Sequence, residues 1–185
     1  RFAEHLKARR PAAEVWGVEP DANAAREAAV RLDRVIIGTF PGCREEIGRR
    51  FDCIVCNDVL EHMVDPWGAC AEIATLLEPG GALVASIPNI RNLGTLSQVA
   101  LKGRWDYVPA GVLDRTHLRF FTRATMAEMI EGAGLRIESV SGSWPLTTGK
   151  MRALRTAAWC LSPSLAREGV FRQYVVVATK ANESR

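Results

Sequence analysis

Residues 51–88 read FDCIVCNDVLEHMVDPWGACAEIATLLEPGGALVASIP. The run from Phe51 to Cys56 is apolar and too short for a helix, and the polar pair Asn57-Asp58 ends it. Pro66 suits a first helical turn. Ala69, Ile73, Leu76 and Leu77 then recur at helical spacing until Pro79-Gly80-Gly81 breaks the pattern. Ala82 to Ile87 is a second apolar run, stopped by Pro88-Asn89. Two strands apolar on both faces, separated by one amphipathic helix, predict a parallel pair covered on both sides.

The same alternation extends upstream. Arg1 to Arg10 has helical spacing around Phe2 and Leu6 and ends at Pro11. Val15 to Val18 is a short strand, Asp21 is the expected N-cap of an alanine-rich helix reaching Leu32, and Val35-Ile36-Ile37 is a further buried strand closed by Gly38. Downstream, a helix is expected from Asn92 to Lys102, then an aromatic-rich loop with Trp105 and Tyr107. Thr122 reads as the N-cap of a helix reaching Gly132, with Gly134 at its C-terminus, followed by a strand from Leu135 to Val140. A basic amphipathic piece, Lys150 to Leu161, precedes a last strand from Phe171 to Thr179. The fold class is α/β, a doubly wound sheet.

At 185 residues, with 48% hydrophobic and 24% charged residues, the chain has the composition of an ordinary globular domain, not of a disordered or low-complexity one. The apolar runs fall far short of the ~18 residues that span a bilayer, so no transmembrane segment is expected. The net charge of +3 is spread along the chain without a basic stripe, so nucleic acid is not an implied partner. Five cysteines, an odd number, argue against a secreted disulfide framework and for a reducing, cytoplasmic setting. The pair Cys53 and Cys56 reads as core rather than as a metal or redox motif, since residues three apart on a strand point to opposite faces. No metal site is expected.

In an open parallel sheet ligands bind beyond the carboxyl ends of the strands. Glu19 follows the first strand, where a carboxylate accepts from both hydroxyls of a ribose; a solvated acid is the plain alternative. Gly38, Thr39 and Phe40 follow the next strand and suit either an adenine edge or a simple turn over a core aromatic. After Phe51 to Cys56 comes Asn57-Asp58-Val59-Leu60-Glu61-His62, with three ionisable groups in one loop, of which Asp58 is the first choice for binding. Asp65 is expected to cap the next helix.

Four segments together resemble the class I S-adenosylmethionine-dependent methyltransferases: VWGVEP at 15–20, FDCIVCNDVLEH at 51–62, LEPGGALVASIPN at 77–89 and DRTHLRFFT at 114–122. The likeness is to small-molecule methyltransferases with DVLEH and THxRFFT motifs. It implies a Rossmann-like sheet of seven strands whose last strand, Phe171 to Thr179, runs antiparallel beside Leu135 to Val140. It implies one S-adenosylmethionine-binding domain over 1–185, with acceptor-side insertions at 90–122 and 143–170. It further implies that Glu19 and Pro20 hold the ribose, that Thr39 and Phe40 lie near the adenine, and that Asn57, Asp58, Val59 and Leu60 line the methionine end. The family's first strand and glycine-rich loop belong just before Arg1, so the sequence is expected to begin downstream of the natural N-terminus.

The implied reaction moves a methyl group to an oxygen or nitrogen of a small-molecule acceptor, and a homodimer is compatible with it. A general base helps an unactivated hydroxyl, and His117 is the first candidate, His62 the second; local hydrogen bonding is the competing role for each. Asn89, Trp105, Tyr107 and Arg119 are expected at the acceptor, with Arg119 either holding an anion or pairing with Asp114, and the aromatics either walling the site or packing a lid. The segment from Lys150 to Leu161 reads as a flap over the sheet in preference to a membrane-surface helix. Two other classes stand against an enzyme of this kind: a catalytically silent cofactor-binding or scaffold module, and a nicotinamide-dependent dehydrogenase, which shares the ribose carboxylate but neither motif.

Overall fold

The computed structural model describes residues 2–145 and 149–182, without the side chains of Lys150 and Met151, so those parts of the basic segment and of the 143–170 insertion lie outside the described residues. The chain divides into two compact units, Arg1–Arg49 and Arg50–Arg185.

In the first unit, α1 (Phe2–Arg9), β1 (Trp16–Glu19), α2 (Ala22–Ala29), β2 (Arg34–Ile37) and the single-turn α3 (Arg44–Ile47) follow in order. Asp21 caps α2 as expected, its carboxylate accepting the Asn23 and Ala24 N–H groups. β1 and β2 pair in parallel, Trp16 opposite Arg34 and Glu19 opposite Ile37. Ala3, Ala25, Ile36 and Ile47 form the small core. The expectation that Val35-Ile36-Ile37 is buried throughout is corrected, because Ile37 is 58% exposed while Ile36 is sealed. Neighbouring residues of a strand point to opposite faces, and only the face carrying Ile36 is covered. Phe2 of α1 is exposed. The Trp16 ring lies under two guanidinium groups, Arg34 at 4.6 Å and Arg49 at 5.0 Å from its centroid, which shields it by cation–π contact.

The second unit is built on a four-stranded sheet of order β3-β4-β6-β5, from β3 (Phe51–Asn57), β4 (Leu77–Pro88), β5 (Leu135–Pro145) and β6 (Phe171–Lys180). β3 and β4 are parallel, and β6 is antiparallel to both β4 and β5, which is the placement expected for the last strand. Six strands are present among the described residues, the number expected without the family's first strand, in a sheet of two and a sheet of four. Pro79-Gly80-Gly81 lies within β4 as an irregularity instead of preceding the strand, between the pairs Phe51–Leu77 and Cys53–Ala82. Gly81 is required there, since a Cβ would stand 2.8 Å from the Glu78 carbonyl and 3.1 Å from that of Phe51.

Leu83, Ala85, Ile87, Val176 and Ala178 of the sheet are fully buried, as are Cys70 of α4 (Pro66–Leu76) and Met126 and Ile130 of α6 (Arg123–Gly132). Each large side chain removed from water in this way contributes about 1.5–3 kcal/mol. Asp65 caps α4 with Pro66 at its first position, and Thr122 caps α6 through a reciprocal bond with Thr125. Cys56 is buried and Cys53 exposed, so only one of the two is a core residue, as their opposite faces require.

Asn92 caps α5 (Leu93–Lys102). α7 (Gly149–Leu161) turns Leu154 and Ala158 onto a cluster with Leu93 of α5, Leu165 and Ala166 of α8 (Pro163–Glu168), and Val170. The apolar side of the basic helix thus packs on other helices rather than forming a flap over the strands. Among the described residues no helix is long and apolar enough to cross a membrane.

The β5–β6 seam makes a stability prediction. A Cβ at Gly142 would stand 2.3–2.5 Å from three ring carbons of Phe171, whose ring also packs on Tyr174. Gly142→Ala is expected to destabilise the protein by about 1–3 kcal/mol, read as a lower urea midpoint at unchanged slope. An unaltered midpoint would show that the ring moves aside freely.

Candidate functional site

β3 delivers Asn57 and Asp58 to its carboxyl end, where the backbone leaves the sheet through a positive φ of 52° at Asp58. Asp is among the few residues that tolerate this left-handed conformation, and the turn is fixed by the Asp58 N–H donating to the Ser86 carbonyl at 3.1 Å. The Gln173 amide on β6 donates to the Asp58 carboxylate, tying the loop to the next strand but one. A single 3-10 turn, Leu60–His62, then drives Leu60 and Glu61 inward, to 0% and 1% exposure.

The segment 114–121 docks onto that turn. The Leu118 and Arg119 N–H groups both donate to the Glu61 carbonyl, at 2.8 and 3.0 Å. Asp114 shapes the approach by accepting from the Thr116 N–H and hydroxyl at 2.8 and 2.6 Å. Those bonds hold the Asp114 carboxyl below the usual carboxylate range. The result brings His117 beside His62, with ring centroids 4.7 Å apart and nearly perpendicular, and Phe120 packs on His117 and Trp105.

Both imidazoles have one nitrogen committed to the backbone. His117 Nδ1 lies 3.2 Å from the Val112 carbonyl, and His62 Nδ1 lies 3.1 Å from the Thr116 carbonyl. A carbonyl only accepts, so each Nδ1 carries the hydrogen and each neutral ring is left with a bare lone pair on Nε2. The His117 Nε2 faces Glu61, 3.9 Å from Oε1. Neither carboxylate oxygen of Glu61 has a hydrogen-bond partner in another residue among the described residues. Burial pushes the Glu61 carboxyl up to about 7 and pushes the His117 imidazole down, because both resist charge where water is excluded. Glu61, His62 and His117 each offer one ligand atom, all within 4.8 Å of one another. The His117 Nε2 lone pair and the Glu61 carboxyl thus face each other with the His62 ring beside them, an arrangement suited to a proton or a cation.

Glu61 is the residue that sequence reasoning passed over in favour of Asp58. It stands in the same loop, but nothing in DVLEH distinguishes a buried glutamate from a solvated one. Of the two alternatives for Arg119, the pairing with Asp114 is absent among the described residues: the guanidinium donates to the Leu118 and Val64 carbonyls. Asn89 is fully buried and bonded within the fold, its amide donating to the Glu168 and Phe171 carbonyls and its oxygen accepting from the Arg91 N–H. Trp105 and Tyr107 are 41% and 57% exposed in the loop beyond α5.

In the first unit, Glu19 ends β1 half-buried, with Oε1 accepting the Asp21 N–H at 3.0 Å and Oε2 without a hydrogen bond among the described residues. Pro20 is exposed beside it. Thr39 is exposed and Phe40 half-buried just after β2, where the Thr39 carbonyl accepts the Cys43 N–H at 3.2 Å.

Comparison with known proteins places these observations in context. Residues 1–140 match a family model described as a methyltransferase domain. The chain is similar to a ubiquinone biosynthesis O-methyltransferase of Aeromonas salmonicida, at 35% identity over 95 residues, covering 50% of this chain and 39% of that protein. The chain spans about half the length of the curated relatives it matches. A SAM-dependent methyltransferase structure from Archaeoglobus fulgidus superimposes with a TM-score of 0.66 at 13% identity, over 96% of this chain and 80% of that one. The [4+2]-cyclase SpnF shares the fold too, with a TM-score of 0.56 at 19% identity over 97% of this chain and 70% of the other.

Proposed function

Since the chain belongs to the methyltransferase domain family, we propose that it transfers a methyl group from S-adenosylmethionine to an oxygen of a small-molecule acceptor. Oxygen is favoured over nitrogen because the curated relatives are named O-methyltransferases. The single observation that carries the reading is the pair of histidines at the carboxyl end of β3, each held by its Nδ1 with Nε2 bare.

S-adenosylmethionine supplies an activated methyl on a sulfonium, whose neutral thioether leaves without acid assistance. The protein's part is to orient the acceptor, exclude water and remove a proton. With the cofactor bound, the acceptor hydroxyl would be aligned for in-line attack on that methyl with the thioether as leaving group, and its proton would pass to His117 Nε2. His62 stands against it as the second acceptor of that proton. Trp105 and Tyr107 are kept as acceptor contacts because they present exposed rings, and Arg119 because its guanidinium belongs to the same docked segment. Asn89 is left to the fold.

The carboxylate of Glu19 fits a ribose, since Oε2 is open at a strand's carboxyl end. Thr39 and Phe40 are assigned to the adenine, and Asn57 to Leu60 to the methionine end, by the motif likeness. Free cysteines at all five positions fit a cytoplasmic setting.

Calorimetric titration of S-adenosylmethionine and its demethylated product tests the reading. Micromolar binding is expected, weakened by about 1–3 kcal/mol in Glu19→Ala and less in Glu19→Gln, which keeps an acceptor for the Asp21 N–H. Absence of binding by the folded protein would favour a scaffold module. Binding without methyl transfer to any hydroxyl acceptor would favour another use of the fold, as the cyclase relative illustrates.

A further inference from the structure

We propose that Glu61, His62 and His117 form a site for a divalent transition-metal ion. Three independent features converge on it. The ligand atoms lie within 4.8 Å of one another, contributed by one 3-10 turn and by the segment that its Glu61 carbonyl anchors. Both imidazoles donate their other nitrogen to a backbone carbonyl, the Val112 oxygen for His117 and the Thr116 oxygen for His62. That is the outer contact which, at metal centres, fixes the tautomer and aims the bare nitrogen at the ion. The third feature is Glu61, a carboxylate sealed to 1% exposure with both oxygens unpartnered by other residues among the described ones and Oε1 3.9 Å from the His117 Nε2.

A buried carboxylate without hydrogen bonds is costly, and a lone pair facing carboxylate lone pairs adds to that cost. A cation between them removes both. Two imidazole nitrogens and one carboxylate oxygen suit zinc or its neighbours in the first transition row, and a set of three protein ligands leaves a position open for a further oxygen. Ligand atoms about 2.0–2.1 Å from such an ion at tetrahedral angles stand about 3.4 Å apart. The 3.9 Å between Glu61 and His117 therefore needs to close by roughly half an ångström, and a pair at the 4.8 Å limit of the cluster by about 1.4 Å, which side-chain rotations would have to supply. The Asp58 carboxylate acts electrostatically on both histidines and on Glu61, and so deepens the negative potential at the site.

The site stands on this geometry alone. Its role rests on the methyl-transfer reading: a bound ion would hold the acceptor hydroxyl at the open position and make it more acidic, and water would then take the proton in place of His117 Nε2. The acceptor class then narrows to phenols and other hydroxyl compounds able to place an oxygen on the open position.

The test is a titration of the chelator-stripped protein with cobalt(II), followed by visible absorption. Saturation at one equivalent per chain is expected, with affinity reduced about tenfold or more in both Glu61→Gln and His117→Gln, while circular dichroism confirms that each variant is folded. No saturable absorption, an affinity unchanged in either variant, or an intense near-ultraviolet sulfur-to-cobalt band would overturn the site, the last by assigning the ion to a cysteine. Cobalt binding by a protein that does not bind S-adenosylmethionine would overturn the methyl-transfer reading and leave the site. S-adenosylmethionine binding without cobalt binding would do the reverse.

Discussion

His117→Gln is expected to lower kcat for methyl transfer by about 10²–10⁴-fold while leaving the affinity for S-adenosylmethionine within twofold of the parent protein. The size follows from the position of Nε2, the bare nitrogen of a ring whose tautomer the Val112 carbonyl determines. Glutamine fills much of the same space and keeps a polar contact for Val112, but it offers no basic nitrogen in the place of Nε2. The same substitution also removes a ligand of the proposed ion, so the large effect is expected whether the imidazole takes the proton itself or holds the metal. A chelator separates the two: undiminished kcat in its presence means direct proton transfer, and loss restored by added zinc means the ion acts. His62→Gln is expected to have the smaller effect, because His62 is the more accessible ring and is not the one facing Glu61. An unchanged kcat in His117→Gln would remove the base altogether and leave alignment of the reactants as the main source of rate.

Glu61→Gln is expected to stabilise the metal-free protein at pH 8, by up to about 3 kcal/mol. The Glu61 carboxyl is raised by burial from 4.5 to about 7 in the folded state. Between those values the folded protein holds a proton that the unfolded chain has released, so stability falls as pH rises through that window, and the full cost is in place above 7. Glutamine carries no charge and escapes the penalty, although its own unpartnered amide cancels part of the gain. The advantage of the variant should vanish below pH 4.5, where both states of the parent protein are protonated. Thermal unfolding in the presence of a chelator measures it, at about 2–4 °C per kcal/mol for a chain of this size. A variant less stable than the parent at pH 8 would mean that the carboxylate has a partner and is not isolated. Added zinc should stabilise the parent protein and not the variant.

These two effects meet at residues whose legibility in the sequence differed. His117 and His62 stood out because histidines beside THxRFFT and DVLEH segments carry a recognisable likeness. Glu61 did not, since its neighbours Leu60 and His62 say nothing of whether its carboxylate meets water. The helix starts at Asp21, Asp65 and Thr122 were readable to the residue because a cap is a bond between groups two or three positions apart, whereas the burial of Ile37 was misjudged because it depends on which face a neighbouring element covers. Likewise the Pro79-Gly80-Gly81 turn reads as a boundary in one dimension, yet strand pairing continues across it to join Leu77 with Phe51.

The sequence by itself determined the alternation of strands and helices, their caps and the antiparallel last strand, because periodicity and capping are local and the motif likeness supplied the order. Only the tertiary structure decided that the 114–121 segment would hang from the Glu61 carbonyl, bring two imidazoles together and seal a carboxylate behind them. The physical reason is that such a meeting depends on backbone hydrogen bonds between segments far apart in the chain, and a backbone amide has the same donor whatever side chain it carries.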